Sequence, residues 1–110
     1  MRRGDIYLAD LGAPVGHEQS LVRPVLVISA QPWLDSYPPV VVVVPLTRTV
    51  RGSVTHVEIE PGESGLRRTS YAKCEDLRAV APERFGRRFG SCGDAVLART
   101  DVILRRLLAL

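Results

Sequence analysis

Hydrophobic and polar residues alternate with a period of two through most of this chain and change to a helical period only at its end. Ile6, Leu8 and Leu11 alternate with Asp5, Tyr7 and Asp10, which predicts a first strand with one solvated face. Pro24 to Ser29 reads as a buried strand, with Pro24 at its first position, where a missing N–H is tolerated. Val40 to Leu46 is the clearest strand, because five consecutive valines favour an extended backbone and packing on both faces. From Thr55 to Glu60, Val57 and Ile59 alternate with His56, Glu58 and Glu60, as in a half-exposed strand. Ser70 to Val80 predicts one or two strands with a break near Glu75, and Phe85 to Cys92 a short last one.

Between these runs, Gly12, Pro14 and Gly16 mark residues 12–22 as a surface loop that carries His17, Glu18 and Gln19 towards Arg23. Ala30 to Pro39, with Trp33, Tyr37 and two adjacent prolines, reads as a connection without regular structure. Val96, Leu97, Ile103, Leu104, Leu107 and Leu108 recur on one helical stripe, and Ser91 with Asp94 has capping-box spacing, so a helix is predicted from about Gly93 to Ala109. Its leucines are core or a dimer seam. Short strands, one terminal helix and no βαβ alternation predict one domain over residues 1–110, a small and mostly antiparallel β-barrel or strongly bent sheet covered by the helix. Such a sheet leaves edges and apolar patches that self-association would cover.

Composition narrows the chemistry. The 45% hydrophobic and 25% charged content is that of a globular chain with one core, and excludes a disordered one. Lys73 is the only lysine among 15 basic residues, and arginine forks onto phosphate where lysine acts as a point charge. Nucleic acid is thus a permitted partner, with an arginine-rich solubilising surface as the alternative. Cys74 and Cys92 lack metal-type spacing and read as reduced thiols of a cytosolic protein; no signal-peptide stretch follows Arg2-Arg3, and no apolar run spans a bilayer. No metal or other cofactor is expected. Arg23 just before one buried strand and Thr47 just after another predict a small, positive, hydroxyl-bearing site suited to a reacting phosphate. Arg48 and Arg51 adjoin it and are candidates for phosphate contacts. Trp33 and Tyr37 read equally as base-stacking groups or as packing anchors, His56 as a solvated bystander and Arg78 as half of a structural ion pair.

Over nearly its whole length the sequence resembles the MazF/PemK toxins of bacterial toxin–antitoxin modules. Arg3-Gly4-Asp5-Ile6-Tyr7, Gly16-His17-Glu18-Gln19, Arg23-Pro24-Val25-Leu26-Val27-Ile28-Ser29, Pro45-Leu46-Thr47 and Glu75-Asp76-Leu77-Arg78 carry the resemblance, in order and at matching spacing. It implies an SH3-like barrel and a metal-independent endoribonuclease. It further implies a homodimer acting on single-stranded RNA and neutralised by a small acidic antitoxin of the MazE kind. The catalytic pair falls on Arg23 and Thr47, the RNA-binding loop glutamate on Glu18, and the base-reading pair on Glu75 and Asp76; His17 and Gln19, beside Glu18, are candidate RNA contacts. Family members often carry glutamine where Asp76 stands; an aspartate only accepts hydrogen bonds, which alters base preference.

Metal-free RNA cleavage requires attack by the 2'-hydroxyl, charge stabilisation on the phosphoryl oxygens and a proton for the leaving 5'-oxygen. Arg23 and Thr47 suit the second task. Proton transfer stays open between the arginine, to which the family usually gives it, Glu18 as a base, and His17, whose ordinary pKa suits either side; the alternative for His17 is an exposed loop histidine that only hydrogen-bonds backbone or RNA. A rival reading keeps the fold without catalysis, as a CcdB-like toxin that binds DNA gyrase or a β-barrel interaction module. Neither needs Arg23, Thr47 and Glu18 together.

Overall fold

The computed structural model describes residues 1–12 and 22–110. The period-two runs become β1 (Asp5–Asp10), β2 (Val22–Val27), β3 (Val41–Thr47), β4 (His56–Ile59), β5 (Ser70–Lys73), β6 (Arg78–Val80) and β7 (Phe85–Ser91). A short helix, α1 (Gln31–Asp35), follows β2, and the terminal stripe forms α2 (Asp94–Leu108). A single 3₁₀ turn at Cys74–Asp76 separates β5 from β6, at the break expected near Glu75.

Every strand pair is antiparallel, in the order β4-β5-β3-β2-β1-β7. One edge of β3 pairs with β2; the other is divided between β6, along Val41 to Val43, and β5, at Leu46 and Thr47. Because β4 and β7 end the order without pairing to each other, the expected barrel is open.

The valine run is buried on both faces, as its composition predicts. Val44 and Leu26 join Ile6, Ile59, Ala72 and Leu104 beneath α2, while Val43, Val25 and Val27 pack on the opposite side with Ala9, Val41 and Val80. Each fully buried valine or leucine contributes roughly 1.5–3 kcal/mol. On α2, Leu104 is buried but Leu107 and Leu108 are exposed. Thr100, the most buried residue of α2, satisfies its hydroxyl on the Val96 carbonyl at 2.8 Å.

Several sequence expectations are corrected. The segment after β2 contains α1, because Pro32 fits a first helical turn and Leu34 supplies a buried anchor. Ser91 and Asp94 form no capping box: Gly93, at φ +84°, is the N-cap without a side-chain cap, and Ser91 Oγ accepts the Gly93 N–H at 3.3 Å. Asp5 is buried, accepting the Arg2 N–H at 2.9 Å and pairing with Arg88 at 3.1 Å. Pro24 is the third residue of β2, tolerated because pairing to β3 begins only at Val25.

Candidate active site

The β2–β3 register runs from Val27 opposite Val43 to Val25 opposite Pro45 and stops. Two residues further it would set Arg23 opposite Thr47. That pairing is not made: β2 and β3 part after Val25 and Pro45, while on its other edge β3 continues against β5, with Thr47 opposite Tyr71. A cavity of about 600 Å³ opens where they separate. Arg23 and Pro24 line it from β2, Leu46 and Thr47 from β3, Arg48 from the segment that follows, and Leu8 from β1. Leu8, expected in the core, is thus a cavity residue. Leu66, Arg67, Arg68 and Ser70 line it around the start of β5, with Arg87 and Phe89 from β7.

The polar groups here are poised to meet a ligand rather than one another. Arg23 Nε is buried without a hydrogen-bond partner among the described residues, the kind of unmet donor that costs about 1–3 kcal/mol until an acceptor arrives. Thr47 Oγ1 accepts the Thr49 N–H at 3.1 Å, which orients the hydroxyl and leaves its O–H to donate. Five arginines, at positions 23, 48, 67, 68 and 87, line the cavity, no carboxylate does so among the described residues, and none of the five pairs with a described acid. A concave wall of one sign attracts polyanions.

Glu75 and Asp76 stand apart, beyond the opposite end of β5 from Ser70. Glu75 accepts from the Thr55 hydroxyl at 2.8 Å and bonds His56 Nε2 at 3.0 Å, while Asp76 pairs with Lys73 at 2.9 Å. Burial pushes the Glu75 carboxyl up, but its backbone hydrogen bond and those from His56 and Thr55 outweigh this and hold it below the usual range. His56 is therefore no solvated bystander: its side chain is 4% exposed, with Nδ1 buried and without a partner among the described residues. Burial pushes the Cys74 and Cys92 thiols up to about 11, so both are neutral at physiological pH. Among the described residues no group of three or more His, Cys, Asp or Glu side chains is placed to hold a metal ion.

The sequence profile of the PemK-like, MazF-like toxins of type II toxin–antitoxin systems matches residues 2–108. The chain belongs to this family. It is 34% identical over 112 residues to Endoribonuclease EndoA of Bacillus subtilis (strain 168), covering 100% of this chain and 96% of the relative. Endoribonuclease MazF of Staphylococcus saprophyticus is 38% identical over 86 residues, 76% of this chain and 71% of that protein. A solved mycobacterial endoribonuclease in complex with its cognate antitoxin superposes with a TM-score of 0.80 at 26% identity, covering 98% of this chain and 94% of that one.

Of the candidate residues read from the sequence, the cavity brings together Arg23, Thr47 and Arg48. Arg51, exposed on the β3–β4 connection, does not line it, and neither do Glu75 and Asp76. His17, Glu18 and Gln19 lie outside the described residues. Trp33 Nε1 donates to the Val40 carbonyl at 2.9 Å and fastens α1 to the start of β3, while Tyr37 is 97% exposed. Arg78 makes no ion pair among the described residues and instead donates to the Leu11 carbonyl at 3.1 Å. Sequence reasoning missed Arg67, Arg68, Arg87 and Phe89. The doublets Arg67-Arg68 and Arg87-Arg88, each just after a glycine-marked turn or strand start, were the available signal.

Proposed function

We propose that this chain, an RNA-cleaving toxin by family, cuts single-stranded RNA by attack of a 2'-hydroxyl on the adjacent phosphorus, without a metal ion. The P–O bond to the 5'-oxygen breaks, leaving a 2',3'-cyclic phosphate and a 5'-hydroxyl; one proton leaves the 2'-oxygen and one reaches the 5'-oxygen. Arg23 places guanidinium N–H groups on the non-bridging oxygens, where charge builds in the transition state, and the Thr47 O–H donates to the same group. What supports this reading above all is that Arg23 and Thr47 flank one cavity where β2 and β3 part, with a donor on Arg23 that no described residue meets. Arg48 and Arg51 take neighbouring phosphates. His17, Glu18 and Gln19 contact the RNA from the β1–β2 connection. Glu75 and Asp76 read bases beyond the far end of β5. The whole chain acts as one toxin domain, as a cytoplasmic homodimer, and a small acidic antitoxin suppresses it by covering the arginine-lined cavity. No helix among the described residues is long and apolar enough to cross a membrane.

Purified protein incubated with a long single-stranded RNA in EDTA is expected to yield 5'-hydroxyl and cyclic-phosphate ends. Arg23→Ala should lose roughly 10²–10³ in rate, the loss seen when one oxyanion donor is removed. Gyrase binding without RNA cleavage, or cleavage undiminished in Arg23→Ala, would overturn the proposal.

A further inference from the structure

The cavity is larger than one scissile phosphate requires: its 600 Å³ lies within the roughly 300–1,000 Å³ of clefts that enclose drug-sized ligands. The wall remote from Arg23 and Thr47 is built of groups to which the cleavage step gives no task. Arg87 and Phe89 both face the cavity, whereas Arg88 between them is spent on buried Asp5 at 3.1 Å. The Arg87 guanidinium carbon lies 4.3 Å from the Phe89 ring centroid. That contact holds the guanidinium against an aromatic face while its donors remain unpaired among the described residues.

Beside this pair, Arg67 and Arg68 are carried by the β4–β5 turn, which is clamped onto β7. Gly65, at φ +71°, and Gly90 are where the two backbones touch: a Cβ at Gly65 would run into the Phe89 carbonyl, and one at Gly90 into the Glu63 carbonyl. The Ser91 N–H donates to that Glu63 carbonyl at 2.9 Å. Ser64, 1% exposed, donates to the Glu60 carbonyl at 2.7 Å and accepts the Leu66 N–H at 3.2 Å. The backbone that carries this cationic wall is therefore fixed before any ligand arrives, which lowers the ordering cost of binding.

We propose that Arg87 and Phe89 form a stacking platform for the unpaired base of a nucleotide flanking the cut, with Arg67 and Arg68 holding that nucleotide's phosphate. This rests on the RNA-cleavage reading above and deepens it. A stacked guanidinium–phenyl pair matches the planar face of a base, and stacking of this kind tolerates any base. An acidic peptide would use the charges but gain nothing from the ring.

The test compares a dinucleoside monophosphate with an oligoribonucleotide of the same junction extended by two nucleotides on each side. Wild type should prefer the longer RNA, and Arg87→Ala should shrink that preference about tenfold. Replacing the flanking base by an abasic site should shrink it similarly in wild type and make Arg87→Ala no worse. Binding is read separately with an oligonucleotide carrying 2-aminopurine at the flanking position and a single 2'-deoxynucleotide at the junction, so that nothing is cut. Its fluorescence should be quenched by wild type and much less by Arg87→Lys, which keeps the charge and loses the plane. Phe89→Leu, close in volume, should behave like Arg87→Lys. Failure of wild type to cut either RNA would sink the cleavage reading itself. Cleavage of both with an unchanged length preference in Arg87→Ala, or equal quenching by every variant, would overturn the platform alone. Weakened binding of an acidic peptide without any change toward RNA would reassign the wall to a protein partner.

Discussion

Among the described residues Arg23 pairs with no carboxylate and its buried Nε meets no acceptor, so it carries a desolvation cost that these residues do not offset. Arg23→Met removes that cost while keeping an unbranched chain. We expect its urea midpoint to equal or exceed wild type while RNA cleavage disappears; a loss above about 1 kcal/mol would mark the guanidinium as structural. Glu75 behaves in the opposite way. Hydrogen bonds from the backbone, His56 and Thr55 overcome burial and lower its pKa on folding, so the unfolded chain binds more protons at mildly acid pH. Its contribution is complete above the ordinary carboxylate value of about 4.3 and fades as pH falls through the lowered folded value. Urea melts at pH 7 and pH 3 should therefore show a smaller acid loss in Glu75→Gln than in wild type.

At the scale of the element, β7 and the β4–β5 turn meet at two glycines, one of which tolerates no side chain for want of space alone. Gly90→Ala must push the Glu63–Ser64 backbone away and should cost about 1–3 kcal/mol, read as a lower thermal midpoint. It should also weaken RNA binding, since Arg67 and Arg68 ride on the displaced turn. This is where the chain's legibility divides. Strand β3 and helix α2 were readable because five valines and an apolar stripe state their periods locally. The pair Arg23 and Thr47 was readable because each adjoins such a strand. The wall carrying Arg67, Arg68, Arg87 and Phe89 was not, because it depends on Gly65 meeting the backbone of Phe89, a contact between distant residues that no local pattern records. Helix α1 was hidden behind its proline-rich composition, and the burial of Asp5 behind a period-two reading. On β1 the pairing to β7 shifts register on both sides of Tyr7, so simple alternation does not describe which residues are enclosed.

At the scale of the whole molecule, the arginine-lined cavity and the exposed aliphatic side chains of the chain end lie on different elements. The arginine-lined cavity lies between β2, β3, β5 and β7, whereas Val102, Leu107, Leu108 and Leu110 are exposed on and just beyond α2. Leaving that many large aliphatics in water is unfavourable, and an isologous pairing covers such a patch on two copies at once. Sedimentation equilibrium at micromolar concentration should return twice the 12.1 kDa chain mass; a strict monomer would remove the homodimer. Strand β3 also sets a register. Its valines are alike, so sliding the strand by two residues would set Val43 and Val44 in the places of Val41 and Val42 on the same faces, and the valines alone do not fix the register. What breaks this degeneracy is Pro45, seated where β6 has let go and β5 has not yet begun, the stretch of that edge most forgiving of an absent N–H. Pro45 thus serves as an index mark on an otherwise unlabelled ruler: it sets how far the hydroxyl of Thr47 is carried out of the sheet.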